Sequence, residues 1–230
     1  MDPDGGKKCA ISTVDFRDER TIVGVTMSIR RVFLALGAAG LLLAGGCDDW
    51  QRNVTLHGVA FSVVKTEPDG LLIGRIEADT VVGDRPCQKG WLHLYPSGVP
   101  AAFTAAQGIA FGGGTIPAGT WVFQHPAGVV TVCAFPRDTE VQGHVCHGTG
   151  GPKGVQASFY ASGALKQFFP PRPTTIDGVP CDSGIIHGSI ELHENGRLKS
   201  CLLGGDLVRD SRTVHKGTRI AFDPEGNIQS

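Results

Sequence analysis

Along most of the chain, apolar and polar residues alternate in runs of five to seven, the period of a strand with one face buried. One set of runs covers 91–95, 121–125, 155–160, 189–193 and 218–222, and a second covers 71–76, 129–135 and 197–203. Between the sets stand Asp69-Gly70, Ser97-Gly98, Ala127-Gly128, Ser162-Gly163, Asn195-Gly196 and Glu225-Gly226. These six glycines are separated by 28, 30, 35, 33 and 30 residues. Two short strands around such a dipeptide read as a hairpin, because glycine accepts the positive φ of a tight two-residue turn. The pattern predicts an all-β chain of repetitive antiparallel hairpins, stacked as an elongated meander or a β-solenoid-like array.

The linker between hairpins repeats as well. Asp79 leads in eleven steps to Gly90, and Asp206 leads in eleven steps to Gly217. The middle copy starts at Asp138 and is expected to end at Lys153-Gly154, after a glycine-rich insertion. Cys87, Cys146 and Cys181 share one point of this linker, while Cys133 and Cys201 each lie five residues beyond their turn glycine. Two readings follow. Neighbouring rungs pair as disulfides, with Cys133–Cys146 and Cys181–Cys201 the candidate couples and Cys87 left free. Alternatively, the five are small buried hydrophobes in equivalent slots.

Composition agrees with short strands. Glycine (33) and proline (14) are abundant in 230 residues, which disfavours long helices, and a 41% hydrophobic fraction disfavours disorder. A formal charge of −1 without a basic run excludes nucleic acid as a main partner.

The N-terminal region breaks the pattern. Met27 is followed by Arg30 and Arg31, an apolar run from Val32 to Leu43, and then Ala44, Gly45, Gly46 and Cys47. The run matches a signal-peptide core and is too short to span a bilayer. This stretch resembles a bacterial lipoprotein signal peptide, with Ala44 standing where the family usually has leucine. The resemblance implies export to the bacterial cell envelope, a lipid on Cys47 and the membrane as first partner. Asp48 and Asp49 would favour the periplasmic face of the inner membrane. The expected organisation is 1–26, a misannotated or disordered extension; 27–46, a signal; 47–57, a tether; and 58–230, one β-repeat domain. Export also permits disulfides.

Residues 190–199, with Asn195-Gly196 ahead of Leu198-Lys199, resemble MORN-like hairpin repeats, although the units here run longer. That resemblance implies a scaffold for an envelope protein or glycan and transfers no catalytic residue. Asp182-Ser183-Gly184 resembles the nucleophile segment of trypsin-like proteases but lacks its flanking glycines and proline. No Gly-x-Ser-x-Gly elbow occurs, and the glycines at 112–114 lack the Lys-Ser/Thr of a phosphate loop. His144, Cys146, His147 and Cys133 offer too few same-face ligands for zinc, so no metal or other cofactor is expected. Three residues before their turn glycines stand Tyr95, His125, Tyr160 and His193, with Asp223 continuing the row. In stacked hairpins they would form a candidate binding ladder. The expected function is a non-catalytic, lipid-anchored binding or structural scaffold. The rival is a hydrolase or carbohydrate-active enzyme on the same β-scaffold, with Asp138 and His144 the pair to watch.

Overall fold

The computed structural model describes residues 50–112, 114–186, 188–209 and 212–229. The extension at 1–26, the signal at 27–46, and Cys47, Asp48 and Asp49 lie outside the described residues. The chain opens with β1 (Gln51–Leu56), β2 (Val59–Thr66) and β3 (Leu72–Ile76). It continues through β4 (Thr80–Val82), β5 (Arg85–Leu94), β6 (Pro100–Ala105), β7 (Ile109–Phe111) and β8 (Gly114–Ile116). Next come β9 (Trp121–Gln124), β10 (Val130–Ala134), β11 (Thr139–Val141), β12 (His144–Cys146), β13 (Gln156–Phe159) and β14 (Leu165–Phe168). The last are β15 (Thr174–Ile176), β16 (Val179–Cys181), β17 (Ile190–Leu192), β18 (Leu198–Leu202), β19 (Leu207–Arg209), β20 (Arg212–Val214) and β21 (Arg219–Ala221).

Twelve of these strands form one antiparallel meander, β1-β2-β3-β5-β6-β9-β10-β13-β14-β17-β18-β21. It is open, with β1 and β21 at its ends. The linkers are hairpins of their own: β4 with β5, β7 with β8, β11 with β12, β15 with β16 and β19 with β20. Each repeat therefore holds two hairpins, a long one in the sheet and a short one in the linker.

The main core lies between the short hairpins and one face of the sheet. Leu92, Phe103, Val122, Cys133 and Ala157 stand in one cross-strand row, all buried. Val82, Ile109, Ile116, Cys146, Ile176 and Val179 from the short hairpins belong to the same cluster. A lone hairpin is marginal in water, so each rung depends on its neighbours to bury this face. The opposite face carries His93, Ala102, Phe123 and Val132 in register, apolar apart from the histidine, and turns polar at Ser158, Gln167, Glu191 and Ser200.

Two expectations are corrected at the turns and the start. All six turn glycines close three-residue loops. The amide of Gly196, for example, donates to the His193 carbonyl, and the His193 amide donates to Arg197. Glycine thus follows a type I turn as the left-handed residue of a bulge, at φ +83° in Gly196. Two-residue turns occur instead at His57-Gly58, Gln142-Gly143 and Asp177-Gly178, where both residues have positive φ. The expected tether at 47–57 contains β1, which pairs with β2 from Gln51 onward. The folded part accordingly starts before Gly58.

Candidate functional site

The linker aspartates act on backbone. Asp79 accepts from the Lys89 amide at 2.7 Å, and Asp206 accepts from the Lys216 amide at 2.8 Å. Asp138 accepts from Gly148 at 3.0 Å, the same ten-residue reach. Gly148, not Lys153, is therefore the equivalent of Lys89, and the insertion lies beyond it. A Cβ at Gly148 would collide with the backbone of Arg137, so this linker position is closed to larger residues. The residue before each anchored amide adds a second tie where it is histidine: His147 Nδ1 lies 2.8 Å from Asp138, and His215 Nδ1 lies 3.5 Å from Asp206. The Gly148 amide and His147 hold the Asp138 carboxyl below its ordinary range, and the Lys216 amide does the same for Asp206.

The tips of the short hairpins form a second set of ties, which the sequence reading missed. Gln142 accepts from the Leu165 amide at 2.8 Å and donates to the carbonyls of Gly163 and Gly112. Asp177 accepts from the Leu198 amide at 2.8 Å. Leu165 and Leu198 each stand two residues after a turn glycine. Pro100 occupies that place in the β5–β6 hairpin and has no N–H to satisfy. There Arg85 takes over, donating to Gln124 at 3.1 Å and to the Gly128 carbonyl at 2.9 Å, while the buried Gln124 amide donates to the Pro100 carbonyl.

Of the expected ladder, three members reach across to the next turn. Tyr95 donates its hydroxyl to the Gln124 carbonyl at 2.8 Å, and Tyr160 donates to that of Leu192 at 2.9 Å. His193 Nε2 lies 2.9 Å from the Phe222 carbonyl. Each acceptor immediately precedes the next ladder residue. These polar ends are thus engaged within the stack. His125 departs from the series: it is exposed, and its Nδ1 accepts from the Ala127 amide of its own turn. Asp223 closes the row by bonding Asn227, whose side chain and amide hold its carboxyl below the ordinary range.

The proposed enzyme pair does not meet in a bond: Asp138 engages His147, while His144 packs its ring on Phe168 at 5.2 Å. Burial pushes the His144 imidazole below its ordinary value, opposed by the nearby Asp177 carboxylate. Asp182 accepts from the Ser183 amide at 2.8 Å. Among the described residues, no three His, Cys, Asp or Glu side chains gather as a metal site.

Among the described residues, the five cysteines Cys87, Cys133, Cys146, Cys181 and Cys201 are all buried in the core. Burial pushes the Cys87 and Cys146 thiols up to about 12 and raises Cys133 further, with Cys146 adding to that rise. The Cys181 and Cys201 sulfurs lie 2.8 Å apart and share a hydrogen bond that holds the Cys181 proton in place.

An open groove of about 440 Å³ lies along β1 to β3, lined in part by Asn53, Ser62, Glu77 and Asp79. Its acidic groups are engaged: Glu77 accepts from Ser62 at 2.7 Å and pairs with Arg75, and Asp79 anchors Lys89. No known protein family matches the chain, and neither curated proteins nor solved structures offer a match.

Proposed function

We propose that this chain is an exported, lipid-anchored protein of the bacterial cell envelope that serves as a non-catalytic scaffold. The observation that carries the scaffold reading is repetition of chemistry. Asp79, Asp138 and Asp206 tie the same linker amide, and Tyr95, Tyr160 and His193 tie the same carbonyl of the next turn. A catalytic site needs groups of different roles converging on one reacting atom. Here the same role recurs from rung to rung, as in arrays whose product is an extended surface. The lipid anchor rests on residues 27–47, and the MORN-like resemblance suits a surface that meets an envelope protein or glycan.

The hydrolase reading has one observation in its favour, the carboxylate–imidazole contact of Asp138 and His147. The same contact recurs, longer, at Asp206 and His215, at an equivalent place in another rung. That recurrence favours a structural tie. The deciding experiment is fractionation of a native-type host expressing wild type or Cys47→Ala. Wild type is expected in the membrane fraction and the variant outside it. Equal distribution of the two would refute the anchor.

A further inference from the structure

Cys181 ends β16, and Cys201 stands on β18 five residues after Gly196. Cys181 bridges to Leu203, so Cys201 is its diagonal neighbour across the strand pair, pointing to the same face. Both have no exposed surface, and their sulfurs lie 2.8 Å apart. The same two positions recur along the array. They hold Cys87 with Phe103, Ile116 with Cys133, and Cys146 with Phe168. Only the rung of β16 and β18 has cysteine at both.

We propose that Cys181 and Cys201 are the sites of an oxidative cross-link, made by exchange with a disulfide-bearing oxidant, and that Cys87, Cys133 and Cys146 stay thiols. One protein thiolate attacks a sulfur of the oxidant's disulfide, forming a mixed disulfide and releasing one oxidant thiol. The second protein thiolate then attacks the protein sulfur of that mixed bond and expels the other oxidant thiol. Two thiols and one oxidant disulfide become one protein disulfide and two oxidant thiols, so two electrons and two protons pass to the oxidant. The exchange belongs to folding, before β18 and β21 close over sulfurs that no reagent reaches afterwards. The bond closes a 20-residue loop that takes in the long 182–189 connection and the β17–β18 turn, restraining the unfolded chain there.

This inference is independent of the lipid on Cys47. The test takes full-length protein, reduced and unfolded, and refolds it with oxidised glutathione. Remaining thiols are alkylated in denaturant, and the peptides are mapped by mass. The expected result is a Cys181–Cys201 cross-linked peptide, with Cys87, Cys133 and Cys146 alkylated. Alkylation of Cys181 and Cys201, or a Cys133–Cys146 link in their place, would overturn it. A second measurement needs no mapping: wild type refolded and melted in reductant is expected to have a Tm roughly 6–12 °C below that of wild type refolded with oxidised glutathione. Reductant should leave Cys181→Ala unchanged. An unchanged wild-type Tm would also overturn the proposal. Neither readout depends on Cys47, so failure of the cross-link leaves the anchor standing, and failure of the anchor in host fractionation leaves the cross-link standing.

Discussion

Trp50 and Trp91 meet edge to face, ring centroids 5.8 Å apart, with the Lys65 ammonium 5.4 Å from the Trp50 ring. Both rings are open to solvent, at 36% and 46% exposure, whereas Trp121 is buried. Trp50 is three chain steps from Cys47, with Asp48 and Asp49 between them, a reach of roughly 10–11 Å when fully extended. A lipid on Cys47 would hold this pair at the membrane surface, where tryptophan rings and lysine partition well. The acylated protein in vesicles of brominated lipid is therefore expected to lose emission from Trp50 and Trp91. Trp91→Phe should reduce the quenched fraction, and Trp121 emission should persist. Emission unaffected by brominated lipid would place the pair away from the bilayer.

Ties between turns carry stability. Tyr160→Phe keeps the ring and removes the hydroxyl that donates to Leu192, so a loss of about 0.5–1.5 kcal/mol is expected in urea unfolding. Tyr95→Phe should match it through the lost bond to Gln124. His125→Ala, at an exposed ladder position bonded only within its own turn, should cost less than either.

Two glycines separate conformation from packing. Gly196 has φ +83° and open space around a prospective Cβ, so Gly196→Ala is expected to cost about 1–2 kcal/mol through the backbone alone. Gly74 has no positive φ, yet a Cβ there would collide with the Phe61 ring. Gly74→Ala should cost about 1–3 kcal/mol by overpacking, and Phe61→Leu should relieve part of it. A double-mutant cycle reads that coupling, which should be absent between Gly196→Ala and Phe61→Leu.

Much of this architecture was legible in the chain. The spacing of Gly70, Gly98, Gly128, Gly163 and Gly196 marked every long hairpin after β1–β2, and Gly226 marked the turn after β21, because a left-handed position strongly favours glycine. The loop length was legible but unread: Pro68, Pro96, Pro126 and Pro224 stand two residues before their glycines, at the first corner of the type I turn. β1 escaped notice because it is an edge strand. Its residues Gln51, Arg52 and Asn53 are exposed and break the alternation. The Gln142 and Asp177 ties could not be read at all, since their partners lie 23 and 21 residues away and only the stacking of rungs brings them together. Pairing of ladder residues with carbonyls was hidden for the same reason.

Acid should weaken the fold by two routes of the same sign. Burial holds His93 and His144 below the ordinary histidine value of 6.5, so the unfolded chain takes up protons that the folded one refuses as pH falls through that value. Asp138, Asp206 and Asp223 are held below the ordinary 3.8, so their contribution is present above that value and is lost as pH falls further. The urea midpoint is expected to decline from pH 7 to 5 and again below pH 4. His93→Phe should flatten the first decline and Asp138→Asn the second. A midpoint independent of pH from 7 to 3 would contradict both assignments.

Whether this is an exported scaffold fixed to the membrane by lipid is decided by the intact mass of the protein purified from membranes of a native-type host. The expected mass is that of a chain beginning at Cys47 and carrying a diacylglyceryl group, with or without a further acyl chain. A chain that retains residues 27–46, or one that begins at Cys47 without added lipid, would contradict it.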